Sequence, residues 1–243
     1  MTTVERAVPR AALSVYYGVP CPDSLRVLAR HATVILQSGL YSDAQLRNLR
    51  GSSRVLGYLS VGEDHPLGAY ACVPGSQPYH RDLNPAWGSV HVDAHHPAWL
   101  ATVLRRASDA LTRTDGLLLD TLDSADPEAT VALIRAVRAR WPLAVLYANR
   151  GFALLDDLIP LIDGVLFEAF STTHSPTPDL HDPDGLAYTA HWLHAATNSG
   201  LDVLALDYAD TPALAALARA RAAAHGLPTF VTSRSLDLPG GFS

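Results

Sequence analysis

Short apolar runs recur along this chain, each introduced by a turn and followed by an Ala-, Leu- and Arg-rich stretch compatible with helix. Eight runs stand out, at residues 12–17, 33–37, 54–60, 116–120, 143–148, 164–168, 202–207 and 227–232. Triplets such as Leu117-Leu118-Leu119 and Val165-Leu166-Phe167 lack polar alternation, which is how strands covered on both faces read, and parallel sheets are covered on both faces. Helix starts are marked by Pro127-Glu128, in a stretch running to Arg140 before Pro142, and by Thr211-Pro212, in one stopping at Gly226.

Eight strands alternating with helices predict an α/β chain folded as a (β/α)8 TIM barrel, whose usual size of about 250 residues suits a single domain over residues 1–243. A doubly wound sheet is the alternative, but no GxGxxG follows the first run to support a dinucleotide site. Two connections exceed ordinary βα turns, residues 64–87 and 171–185. Both follow strand ends, which places them on the C-terminal face of a barrel, where long loops shape active sites. Residues 88–94 (GSVHVDA) alternate like a strand and predict an extended segment inside the long third βα connection.

Composition narrows the chemistry. All 18 basic residues are arginine, so Schiff-base, pyridoxal-phosphate and P-loop lysine chemistry are excluded. A net charge of -6 argues against nucleic acid as a partner, and no apolar run approaches the length of a membrane span. Residues 1–10 carry Glu5, Arg6, Pro9 and Arg10 where a signal peptide would be apolar. The chain as written therefore reads as cytoplasmic, or as secreted or in the cell envelope if its start is truncated. Cys21 and Cys72 fit no zinc spacing and leave one disulfide open.

Candidate chemistry gathers where the strands stop. Gln37, Glu63, Asp120, Asn149, Glu168 and Asp207 each lie at or just past the C-terminal end of a run. For one such residue a helix cap is the ordinary explanation, but six together describe the polar ring of a barrel enzyme. Four are carboxylates, and glycoside hydrolysis is the reaction that most needs two acidic groups and no cofactor. Asp120 and Glu168, each ending an apolar strand between a dry wall and a wet cleft, are the expected catalytic pair. Asp123 reads as a cap of the following helix and Asp115 as a turn residue. Asp207 with Tyr208 is open between binding a sugar hydroxyl, tuning a neighbour and holding a loop.

Tyr16, Tyr17, Tyr58, Trp87 and Tyr147 offer flat rings of the kind that stack on sugar faces. His91, His95 and His96 do not follow HExxH, so no metal and no cofactor are expected. Other readings are a sugar-binding protein on a hydrolase scaffold and a metal-dependent hydrolase using these histidines.

The stretches VLGYLSVGE (55–63), WGSVHVDAHHPAW (87–99), DGLLLDTLD (115–123), LYANRGF (146–152) and VLFEAFST (165–172) resemble the endo-α-1,4-polygalactosaminidases of glycoside hydrolase family 114 and their bacterial relatives. The resemblance implies an endo-acting hydrolase of α-1,4-linked galactosamine or N-acetylgalactosamine polysaccharide. It places Asp120 after the fourth barrel strand and Glu168 on the sixth, and it gives Glu63 a part in binding substrate or supporting residues that do. Tyr16, Tyr58, Asn149, Asp207 and Tyr208 complete the expected substrate-binding set.

Overall fold

The computed structural model describes residues 11–242; the opening residues 1–10, on which the reading of the compartment rests, lie outside the described residues. The first half of the chain forms β1 (Ala11–Tyr16), α1 (Pro22–Leu28), β2 (His31–Leu36), α2 (Asp43–Arg50), β3 (Arg54–Ser60), β4 (Glu63–Asp64), β5 (His80–Asn84), β6 (Ser89–Val92) and α3 (Pro97–Leu111). The second half forms β7 (Gly116–Asp120), α4 (Pro127–Arg140), β8 (Val145–Asn149), α5 (Leu155–Leu158), β9 (Gly164–Glu168), α6 (Pro183–Asn198), β10 (Asp202–Tyr208), α7 (Pro212–Ala224) and β11 (Thr229–Thr232). Each of the eight expected runs is a barrel strand, with ends shifted by at most two residues.

Strands β1, β2, β3, β7, β8, β9, β10 and β11 lie side by side in that order, all parallel. β1 and β11 meet at the seam. There Tyr17 N donates to Leu236 O at 2.8 Å and Ser14 Oγ to Pro239 O at 2.8 Å, so the segment after β11 stitches the (β/α)8 barrel shut.

Alternation along each strand divides the side chains into two sets, because successive residues point to opposite faces. Leu13, Val15, Ile35, Leu56, Leu118, Tyr147, Leu166, Leu204, Leu206 and Phe230 form one buried cluster inside the barrel. Their neighbours, such as Val34, Val55, Leu117, Leu119, Val165 and Phe167, pack outward under the helices. Burial on both sides explains why the strands read as unbroken apolar runs.

The helices start where side chains take up free backbone N–H groups. Asp126 caps α4, accepting from Ala129 N at 3.0 Å, and Thr211 caps α7, accepting from Leu214 N at 3.2 Å. Asp123 is thus not the cap; it is exposed on the rim of the central cavity. Asp115 accepts from Val55 N at 2.8 Å and pairs with Arg50 at 2.8 Å, pinning the start of β7 to β3.

The third connection holds more structure than one extended segment. β4, β6 and β5 make a small antiparallel sheet standing on the C-terminal face of the barrel. Its β5–β6 hairpin turns at Gly88, whose φ of 68° is in the left-handed region open to glycine. No helix among the described residues is long and apolar enough to cross a membrane.

Candidate active site

The barrel's C-terminal face opens into a cavity of about 660 Å³, with Asp120, Asn149 and Glu168 on its floor. Each is the last residue of its strand, on β7, β8 and β9 in turn, and each is in phase with an interior residue two positions earlier: Leu118, Tyr147 and Leu166. The inward phase of three adjacent strands therefore puts three polar groups side by side where the apolar filling ends.

Asn149 joins the carboxylates. Its Nδ2 donates to Asp120 Oδ1 at 2.7 Å and to Glu168 Oε2 at 2.5 Å. Glu168 Oε1 accepts a second hydrogen bond, from Tyr208 Oη at 2.6 Å. Burial, and then the negative charge of Glu168, push the Asp120 carboxyl up to about 6, with the Asn149 hydrogen bond pulling the other way. Burial, followed by the charge of Glu168, also raises Tyr208 well above the ordinary tyrosine value, so its hydroxyl stays a donor. Asp120 thus keeps its proton to higher pH than a free carboxylate does, and both carboxyl groups have a fixed orientation.

The backbone leaves all three strand ends in the same way. Thr121, Arg150 and Ala169, directly after Asp120, Asn149 and Glu168, have φ of 62°, 54° and 55°. That left-handed conformation is uncommon for any residue but glycine and asparagine, and for a β-branched threonine it is a strained outlier. Hydrogen bonds hold it at Thr121, whose Oγ1 lies 2.7 Å from Ser60 Oγ and accepts from Gly62 N at 2.8 Å. A Cβ on Gly62 would stand 2.1 Å from Thr121 O, so this close approach of the two strand exits requires glycine in GYLSVGE.

The other expected site residues divide by strand phase. Tyr58 lines the cavity, with its ring 5.0 Å from Tyr17 and its hydroxyl 3.4 Å from His65 Nε2. Tyr208 and Asn149 line it too, the Tyr208 hydroxyl and the Asn149 Nδ2 donating to the carboxylates. Glu63 lines the cavity as well, but its carboxylate accepts from Asn84 Nδ2 at 3.1 Å and from Ser89 Oγ. Burial alone would raise its pKa, but hydrogen bonds from Ser124, Ser89 and Asn84 hold it below the ordinary value.

Two expected residues are placed elsewhere. Tyr16 points outward, buried against Leu36, Tyr41 and Leu46, and its hydroxyl donates to Val19 O at 3.1 Å. Its neighbour Tyr17, in phase with Leu13 and Val15, takes the cavity position. Asp207 is out of phase with Leu206 and Tyr208 and is fully buried. It accepts from Ser171 N at 2.5 Å and Thr172 N at 3.0 Å, so it braces the loop after β9 and does not line the cavity. Burial raises its pKa against those hydrogen bonds.

One group of metal-ligand residue types occurs among the described residues: Asp64, Cys72 and His80. Arg106 pairs with Asp64 Oδ1 at 2.8 Å in a buried contact, and His80 Nε2 lies 3.2 Å from Asp64 Oδ2, so both oxygens of this carboxylate already have partners. His91, His95 and His96 do not converge: His91 faces Ser124 O, His95 faces Asp126, and His96 caps α3. Cys21 and Cys72 are both free.

No protein-family model matches the sequence, and neither does any curated protein sequence. Solved structures do match. The glycoside hydrolase domain of PelA from Pseudomonas aeruginosa is similar with a TM-score of 0.80 and 26% identity, covering 94% of this chain and 96% of that one. Ega3 of Aspergillus fumigatus, solved in complex with galactosamine, matches with a TM-score of 0.71 at 12% identity, covering 98% of this chain and 96% of its own. The catalytic domain of a family 18 chitinase from the fern Peteris ryukyuensis shares the fold, with a TM-score of 0.55, 14% identity and 92% of each chain covered. With its strand-end carboxylates and these neighbours, the chain is a glycosidase-type (β/α)8 barrel resembling glycoside hydrolase family 114.

Proposed function

We propose that this chain is an endo-acting glycosidase that cleaves α-1,4-linked galactosamine or N-acetylgalactosamine polysaccharide with Asp120 and Glu168. The observation that carries the reading is the shared Asn149 amide, which holds two carboxylates together on the floor of an open cavity. The galactosamine bound in the similar Ega3 structure supports the substrate class, as does the similar hydrolase domain of PelA.

Geometry favours one stereochemical course. Two oxygens that accept from one nitrogen at 2.7 and 2.5 Å lie no more than about 5 Å apart. Retaining glycosidases separate their carboxyls by about 5–5.5 Å, whereas inverting ones need about 6.5–9.5 Å to fit a water. One carboxyl of the pair protonates the glycosidic oxygen as the other attacks the anomeric carbon, giving a covalent glycosyl-enzyme and releasing the leaving chain. The first group, now a carboxylate, then takes a proton from water, whose oxygen displaces the enzyme with a second inversion. Asn149 and Tyr208 hold the carboxylates on the reaction line throughout.

The test is incubation of the chain with acetylated and deacetylated α-1,4-galactosamine polymers, followed by mass spectrometry. A ladder of oligosaccharides supports an endo-hydrolase, and binding of polymer with no product after prolonged incubation would replace it with a sugar-binding protein.

A further inference from the structure

A second surface is built into the wall of the same cavity. Trp87, at the tip of the β5–β6 hairpin, is 45% exposed and lines the cavity. Two further loops converge on it. Arg234, after β11, places its guanidinium carbon 4.7 Å from the ring centroid and donates to Ala86 O at 3.2 Å. His174, from the loop after β9, packs its ring 5.3 Å from the Trp87 ring. Asn84 fixes the hairpin tip, accepting from Ala86 N at 3.0 Å while donating to Glu63 at 3.1 Å.

A large ring that stays half exposed although two other loops brace it serves stacking better than core packing, since a core ring would be covered. Its position is coupled to the chemistry by contact: the His174 ring stands 5.8 Å from Tyr208, whose hydroxyl orients Glu168. We propose that Trp87 is the stacking platform of a sugar subsite beside the cleavage point, selecting a pyranose with uncharged substituents such as an N-acylated hexosamine. Arg234 supplies that selectivity. Its cation is already drawn to the Trp87 π system, and a protonated sugar amine on the same ring would meet a like charge there. The substrate class follows the glycosidase reading, whereas the platform stands on the geometry of Trp87, Arg234 and His174.

The Glu168→Gln chain, which the proposed mechanism leaves unable to consume its ligand, is titrated by calorimetry with an α-1,4-linked N-acetylgalactosamine hexasaccharide and with its deacetylated form. Adding Trp87→Ala is expected to weaken binding of the acetylated form at least tenfold. Adding Trp87→Phe, which keeps an aromatic face, is expected to restore most of it, an outcome that a purely structural role would not produce. Arg234→Gln is expected to reduce the preference for the acetylated over the deacetylated form.

Unchanged affinity in a folded Trp87→Ala protein overturns the platform, even if the wild-type chain cleaves polymer. An unchanged preference in Arg234→Gln overturns the selectivity, and absence of binding to either hexasaccharide overturns the whole proposal. Trp87-dependent binding by a chain whose Glu168 wild type releases no product upholds the platform while rejecting the hydrolase.

Discussion

Asp120 and Glu168 share one hydrogen-bond donor, the side-chain amide of Asn149, and this ties the geometry of the two carboxylates to a third strand. Removing that donor has a directional consequence. The Asn149 bond lowers the Asp120 pKa against burial and the Glu168 charge, so Asn149→Ala is expected to move the Asp120 limb of the pH–rate profile to higher pH. The turnover rate should fall about 100-fold as the pair loses its alignment. A pH profile of kcat/KM for the variant checks both effects.

The raised pKa of Asp120 also reaches into stability. Its folded-state value of about 6 exceeds the ordinary 3.8, so between these values the folded chain binds more protons than the unfolded one. The contribution of this group to stability is accordingly greatest below the ordinary value and is lost as pH rises toward about 6. Asp120→Asn should therefore melt at a higher temperature than wild type at pH 7, with the gap closing toward pH 4. Thermal melts across that range test the sign.

Tyr208 acts on Glu168 through a single hydroxyl. Tyr208→Phe keeps the buried ring and removes the donor, so kcat should drop about tenfold while KM and melting temperature change little. Steady-state kinetics separates this from loss of packing.

Asp207 gives the opposite separation. Since it braces Ser171 and Thr172 and does not line the cavity, Asp207→Ala should lose about 2 kcal/mol or more of stability by leaving two buried N–H groups unpaired. The milder Asp207→Asn, where it stays folded, should leave the KM of the enzyme near wild type. Denaturant unfolding and substrate kinetics on the two variants distinguish a brace from a binding residue.

Strand phase decides which of these residues could be read from sequence. Leu118–Asp120, Tyr147–Asn149 and Leu166–Glu168 keep interior and polar positions two apart, so the placing of the two carboxylates and Asn149 in the cavity was legible once barrel strands were inferred. Tyr16 and Asp207 lie at strand ends of the right kind but in the wrong phase, and Tyr17 and Tyr208 take the inward positions. A continuous apolar run hides this, because both of its faces are buried and the alternation of hydrophobic and polar residues disappears. His174 and Arg234 were not legible at all. They reach the cavity through loops whose paths depend on contacts with residues far along the chain.

The most direct test of the account is cleavage of galactosamine-rich polysaccharide by Asp120→Asn and Glu168→Gln beside wild type, with folding verified for each. The account requires an oligosaccharide ladder from wild type and a loss of at least 1000-fold in both variants, as expected for a pair of carboxylates that acts as a unit. Wild-type rates from either folded variant would remove that residue from the reaction and with it the proposed mechanism.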